Sequence, residues 1–284
     1  MMQKKLKCYL KLMRFTWPPI GTFLLLWPTL WGLWLAARGW PTWKNLFIFI
    51  AGVIIMRAAG CVINDIADRD FDRHVKRTKE RPLTSGKVTL AEAIVLFVLL
   101  CISAFALVLL LNPLAILLAF IGLGIVIVYP FLKRITHGPQ VILGLAFAWG
   151  VPMAFAAQSG VLSAITWWLY LPAALWPVAY DTMYAMVDRD DDLKIGIKST
   201  AILFGRFDRF VIGMIQLAVV ALLGWVGNMS HLKMLYFIFI ALAGTTFIYQ
   251  QHLIKNRDRD RCFKAFLNNS WSGFFIFLGF VFGM

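Results

Sequence analysis

Acidic side chains are scarce in this chain: 14 Asp and Glu stand against 28 Lys and Arg in 284 residues. Cysteine is scarcer still. Cys8, Cys61, Cys101 and Cys262 show no CxxC or other ligand spacing, which excludes a disulfide framework and a cysteine-based zinc site and leaves them as reduced structural residues. The four histidines, at 74, 137, 231 and 252, are scattered and form no metal set. Nothing resembles a nucleophile elbow, a P-loop or a GxGxxG turn.

Apolar residues, by contrast, make up 61% of the chain, with a mean hydropathy of +0.76. Such a composition cannot fold around one soluble core without leaving large apolar surfaces, so the chain reads as an all-α integral membrane protein. A bilayer core about 30 Å thick needs roughly 20 apolar residues per helix. About nine such runs are present, near 18–37, 46–66, 90–111, 113–131, 140–157, 162–182, 209–228, 234–251 and 265–284. The basic N-terminus ahead of Pro18 looks like the start of a signal peptide. Without a small-residue cleavage site, and with more apolar runs behind it, it reads as an uncleaved first span.

The net charge of +14 suggests nucleic acid at first sight, yet the basic residues sit in short loops between apolar runs, where they act as topology signals. No nucleic-acid partner is expected; the lipid bilayer is. With the N-terminus inside, 24 of the 28 basic residues fall on the cytoplasmic side, only Arg38, Lys44 and Lys233 fall outside, and Arg57 lies within a span. This counting predicts a multi-pass membrane protein with its N-terminus and the loops near 64–89 and 183–208 in the cytoplasm.

Those two loops hold most of the acids. Nine of the 14 lie in Asn64-Asp65-x-x-Asp68-x-Asp70-x-Asp72 and Asp188-x-Asp190-Asp191-Asp192, counting Asp181 just upstream. An offset of 120 aligns Asp68 with Asp188, Asp72 with Asp192 and Tyr129 with Tyr249. The chain is therefore expected to be a single domain over 1–284, with pseudo-repeat halves near 15–135 and 136–256, four helices each, and a final helix at 265–284. A parallel repeat sets the two acid clusters on the same side, facing each other across a central cavity that opens to the cytoplasm.

Asn64, Asp68 and Asp72 are spaced i, i+4, i+8, and Asp188 and Asp192 repeat the i, i+4 step, with Asp181 seven residues earlier on the same stripe. Like charges at that spacing repel on a bare helix, so the arrangement calls for cations. Hard oxygen donors suit Mg²⁺, which typically shares its shell between one or two carboxylates and substrate phosphates. Asn64, Asp68, Asp72, Asp188 and Asp192 are the predicted metal set. A solvated acidic loop paired to Arg69, Arg73 and Arg189 is the competing reading.

Arg57 sits inside a span, seven residues and about 10 Å deeper than Asn64 on the same face. It is expected to line a polar cavity, because an arginine in lipid costs a few kcal/mol, and its planar fork suits a substrate carboxylate. Snorkelling to the inner interface is the alternative. Lys133, Arg134, Lys194 and Lys198 are placed to hold a diphosphate, although topology alone would also put basic residues there. Tyr129, Tyr184 and Trp149 are candidates for stabilising a carbocation through their π faces.

Longer strings now carry a family resemblance. The acid motifs resemble the two signatures of UbiA-type intramembrane prenyltransferases, and the likeness extends through Trp27-Pro-Thr-Leu-Trp31, Met56-Arg-Ala-Ala-Gly-Cys-Val-Ile-Asn-Asp65, Tyr129-Pro-Phe-Leu-Lys-Arg134 and the stretch from Ala179 to Thr200. It is strongest for the branch that prenylates 4-hydroxybenzoate for ubiquinone synthesis. The resemblance implies a nine-helix fold, Mg²⁺, a polyprenyl diphosphate donor and an aromatic acid acceptor attacked ortho to its hydroxyl. Two other classes stay open on the residues alone. An ion-coupled transporter should carry its acids near the bilayer midplane, and a CDP-alcohol type phosphotransferase should carry them in one segment. A different aromatic acceptor is also open.

Overall fold

The computed structural model describes residues 2–15, 17–69, 78, 80–135, 138–196 and 198–284, with side chains for all of these except 2–4, 128–135 and 195. Among the described residues the regular structure is helical throughout. In chain order the helices are α1 (Met2–Leu12), α2 (Ile20–Ala37), α3 (Trp43–Ala67), α4 (Leu90–Val108), α5 (Pro113–Ile135), α6 (Pro139–Ala148) and α7 (Gly150–Ser159). They continue as α8 (Ala164–Ile195), α9 (Thr200–Phe204), α10 (Asp208–Met229), α11 (Met234–Leu253) and α12 (Arg259–Gly283).

Among the described residues, seven stretches are long and apolar enough to cross a bilayer: Ile20–Ala37, Trp43–Ala67, Leu90–Val108, Pro139–Ser159, Thr200–Met229, Met234–Asn256 and Arg259–Gly283. Each falls on a run predicted above. The other two runs lie in α5, whose apolar stretch Pro113–Ile127 is shorter, and in α8, which threads Pro172 and Pro177 and ends in acidic turns. Only a helix satisfies its own backbone in lipid, which is why apolar runs of this length become helices. The chain is a multi-pass membrane protein.

Where α8 stops differs from the expected span. The helix does not end near residue 182 but runs on to Ile195, closed by Gly196 at φ 72°. No Gly or Pro interrupts 178–195, so nothing breaks it before that left-handed cap. The second acid cluster is therefore helical, and of the segment 183–208 only the short α9 forms a separate α-helix among the described residues.

The chain divides into two compact units, Met1–Thr22 with Phe47–Leu111, and Phe23–Leu46 with Asn112–Met284. Packing joins α2 to the second unit: the Trp31 indole Nε1 donates to the Gly273 carbonyl at 3.2 Å, and the Trp31 ring lies 5.3 Å from Trp176. Most of α2 thus belongs with α8 and α12.

In the first unit α1 packs against α3 and α4 through Leu12, Val62, Leu83, Val88 and Ala93. Thr89 caps α4, its hydroxyl accepting from the Glu92 amide while Glu92 accepts from the Thr89 amide. Lys5 of α1 reaches the same carboxylate at 2.6 Å. That hydrogen bond holds the Lys5 pKa above its ordinary value. The outer side of α4 exposes Val95, Leu99 and Ile102, as a lipid-facing surface would.

In the second unit a core of small and apolar side chains, including Ala179, Met183, Met186, Ile212, Cys262 and Ala265, binds the 179–186 stretch of α8 to α10 and α12. An amide ladder adds direction: Gln216 donates to Gln250 at 2.8 Å, and Gln250 to Asn268 at 3.0 Å and Ser272 at 3.1 Å. Buried side-chain hydrogen bonds of this kind fix helix registers in a membrane. All four cysteines are free, Cys61 and Cys262 being buried.

Close approach of α6 to α8 depends on Gly144, where any Cβ would run into the Ala174 carbonyl. Backbone cannot step aside as a flexible side chain can. Gly144→Val is expected to lower the apparent unfolding temperature in detergent by about 5 °C, followed by a dye or light-scattering melt.

Candidate functional site

The first unit presents one stripe of polar side chains along the end of α3. Arg57, Cys61, Asn64 and Asp68 recur every three to four residues, and the Asp68 amide donates to the Asn64 carbonyl at 2.9 Å, so the helical turn persists past Ala67. Arg57 is half-buried, and its Nη1 donates to the Cys61 Sγ. Against it lies Gly21: a Cβ there would stand 2.5 Å from Nη2 and 2.9 Å from Nε, so a larger residue would push the guanidinium aside. Asp70 and Asp72 fall outside the described residues.

Asp65, one residue from Asn64, points elsewhere, since each helical step turns by about 100°. It is buried, and accepts from Arg14 Nη2 at 2.7 Å and Arg81 Nη1 at 3.1 Å. Arg14 holds a left-handed backbone, φ 56°. Of the competing arginine-partner reading, this carboxylate fits the pattern, though with partners far off in sequence rather than interleaved.

In the second unit α8 carries Asp181, Tyr184, Asp188 and Asp192 on one stripe and sorts the rest of the acid run to its other sides. Asp190 and Asp191 accept from the two Nη atoms of Arg259 at 3.1 and 3.2 Å. Lys194 stands 3.9 Å from Asp191 and is largely exposed; the helix puts it on the face away from Asp188 and Asp192. Lys198 follows the Gly196 cap and is half-buried. The side chains of Tyr129, Lys133 and Arg134 lie outside those described. Tyr184 packs at 5.0 Å from the Phe266 ring. Trp149 instead donates to the Leu118 carbonyl at 2.7 Å, and its ring lies 5.9 Å from Tyr170.

A second buried aspartate was missed in the sequence. Asp208, at the start of α10, is fully buried and accepts from Arg257 Nε at 2.8 Å and Nη2 at 2.6 Å. Arg189, from within the acid run, completes an ion pair with it at 3.6 Å. Its hydrogen bonds with Asp208 hold the Arg257 guanidinium charged, raising its pKa further above the ordinary value. In sequence Asp208 reads only as an acid at a helix start; nothing local announces its partners.

Among the described residues no three His, Cys, Asp or Glu side chains gather as a metal site. What is present is a paired set of hard oxygen donors one helical turn apart, Asn64 with Asp68 and Asp188 with Asp192. Oxygen donors without histidine or thiolate fit Mg²⁺ and do not suit the softer transition metals.

A profile of the UbiA prenyltransferase family matches residues 25–279. The chain belongs to the UbiA prenyltransferase family. Among curated UbiA relatives, the 4-hydroxybenzoate octaprenyltransferase of Vibrio parahaemolyticus is 57% identical over 279 residues, 98% of each chain. That of Pectobacterium carotovorum is 58% identical over 276 residues, covering 97% of this chain and 96% of its own. Among solved structures, the apo form of a UbiA homolog from Aeropyrum pernix K1 has a TM-score of 0.80 and 28% identity, covering 90% of this chain and 96% of that one. A UbiA homolog from Archaeoglobus fulgidus bound to GPP and Mg²⁺ has a TM-score of 0.73 and 19% identity, over 96% and 98% of the two chains, a likeness of fold. Membership makes this chain a membrane prenyltransferase, and the transporter and phosphotransferase readings fall away.

Proposed function

We propose that the chain transfers a polyprenyl group from polyprenyl diphosphate to the carbon ortho to the hydroxyl of 4-hydroxybenzoate, with Mg²⁺, in ubiquinone synthesis at a bacterial inner membrane. The observation that carries this reading is identity above one half, along nearly the whole chain, to relatives named for that acceptor. The spacing of oxygen donors on α3 and α8 supports the metal. The excess of basic residues in the segments between spans supports a cytoplasmic N-terminus and cytoplasmic acid-bearing helix ends, in an arrangement of nine spans.

Asn64, Asp68, Asp72, Asp188 and Asp192 are the residues that would hold the ion, and Mg²⁺ bound there would neutralise the diphosphate and make it a better leaving group. Lys133, Arg134 and Lys198 add positive charge for the departing diphosphate, while Lys194, on the opposite side of α8, has the weakest claim. The allylic C–O bond breaks with its electron pair going to diphosphate; apolar walls keep water from the cation. Arg57, deeper along α3, takes the carboxylate of the acceptor and presents its ring. The ring carbon attacks, and loss of its proton restores aromaticity. Tyr184, on the Asp188 stripe, presents a π face toward positive charge better than Trp149, whose indole is engaged with α5.

Membranes containing the protein, given geranyl diphosphate and radiolabelled 4-hydroxybenzoate, are expected to form prenylated product with Mg²⁺. EDTA is expected to abolish it, and excess Mg²⁺ to restore it. Absence of product from every allylic diphosphate tried, with folded protein present, would overturn the acceptor assignment.

A further inference from the structure

Asp188 and Asp192 lie on the last two turns of a 32-residue helix that ends in a glycine cap. A metal site needs its ligands held to within a fraction of an ångström, and two carboxylates at i, i+4 push the helix end apart. The structure shows what opposes this. On the sides of α8 away from the Asp188 and Asp192 stripe, Asp190 and Asp191 meet Arg259 at the start of α12. On the flank of the stripe opposite to Asp191, Arg189 meets Asp208 at 3.6 Å.

Asp208 is the more deeply built of the two contacts. It is 0% exposed and takes both Nε and Nη2 of Arg257, while that Nη2 also donates to the Arg206 carbonyl at 2.9 Å. Arg257 itself sits at φ 56°, in the left-handed region that a non-glycine residue enters only when its surroundings hold it there. One buried carboxylate therefore ties four pieces of chain: the acid end of α8, the turn before α10, the start of α10 and the link between α11 and α12. A buried charge has no solvent to turn to, so its partners are fixed in place.

We propose that Asp208, acting through Arg189, is a positioning residue for the carboxylates of Asp188 and Asp192. The proposal rests on the reading of those two as metal ligands. Residues that orient metal ligands typically change metal affinity by about 10- to 100-fold when replaced. Arg189 also makes the direction of the effect informative. Simple removal of a positive charge next to Asp188 strengthens binding of a cation; loss of positioning weakens it.

The test uses the full chain in nanodiscs, with Mn²⁺ in place of Mg²⁺ for binding read by EPR, and Mg²⁺ titrations of prenyl transfer in parallel. Arg189→Gln is expected to weaken Mn²⁺ binding and to raise the half-saturating Mg²⁺ concentration by about 10-fold, with the KM for 4-hydroxybenzoate unchanged. Arg189→Lys, which keeps a charge within reach of Asp208, is expected to recover most of that loss, as a packing role would not. Asp208→Asn should match Arg189→Gln; if it fails to fold, the Arg189 pair decides alone, because it leaves Asp208 bound to Arg257. Arg257→Asn, a residue that tolerates the left-handed backbone, separates loss of the guanidinium from backbone strain and is expected to show the same weakening. Unchanged or tighter Mn²⁺ binding in Arg189→Gln, with Asp188→Ala losing it, would overturn the positioning role and leave the metal site standing. Mn²⁺ binding that survives Asp188→Ala would overturn the metal assignment itself, and the positioning role with it.

Discussion

Asp188→Ala and Asp192→Ala each reduce prenyl transfer by about 10²- to 10³-fold, measured as kcat with saturating geranyl diphosphate and 4-hydroxybenzoate. The expectation follows from what the helix does with its acids. Four aspartates crowd into five residues, yet α8 turns Asp190 and Asp191 toward Arg259 and leaves Asp188 and Asp192 stacked a turn apart on the Asp181 stripe. Charge that develops on a leaving diphosphate is stabilised by a cation held at a fixed point, and each carboxylate removed loosens that point. Asp190→Ala supplies the contrast. It removes only an exposed ion pair, of the kind that contributes little, and is expected to keep most of the activity. Equal losses in all three variants would mean that net negative charge, and not the stripe, matters.

Arg57→Ala raises the KM for 4-hydroxybenzoate by about 10²-fold and lowers kcat far less, because truncating one partner of a desolvated charge pair costs 2–5 kcal/mol, roughly a factor of 30 or more. The geometry behind this is a guanidinium held half-buried on α3, with Nη1 toward Cys61 and with Nη2 and Nε close against Gly21. A guanidinium has five N–H donors in a planar fork, which suits a carboxylate. Arg57→Lys keeps the charge but loses the fork, and falls between alanine and the native residue. The neutral analogue phenol tests the same point from the other side: it should be an equally poor acceptor for native protein and Arg57→Ala. If both Arg57 variants keep the native KM, the arginine serves the bilayer interface and does not meet the acceptor.

Much of this protein was legible in one dimension because its logic is periodic. Twenty apolar residues in a row have few choices in lipid, so the spans could be read from run length, and the acids at i, i+4 announced a shared face as soon as the segment was taken for a helix. Arg57 stood out for the same reason, since a charge inside an apolar run demands an explanation. Helix ends were read less well: α8 was cut short near residue 182 because its apolar run ends there, while the backbone continues through charged residues until Gly196 at φ 72° stops it.

Sequence by itself therefore determined the membrane class, the helical spacing of Asn64 with Asp68 and of Asp188 with Asp192, and the place of Arg57 two turns before Asn64, all consequences of a 3.6-residue turn and of the solvation of apolar side chains. Tertiary structure alone decided the partners. Asp65 meets Arg14 across 51 residues, Asp190 meets Arg259 across 69, and Asp208 meets Arg257 across 49. A lone acid in a sequence looks the same whether it anchors a fold or holds a metal. Which of the two it does depends on which charge the folded chain brings to it, and ion pairs so far apart along the chain leave no periodic trace.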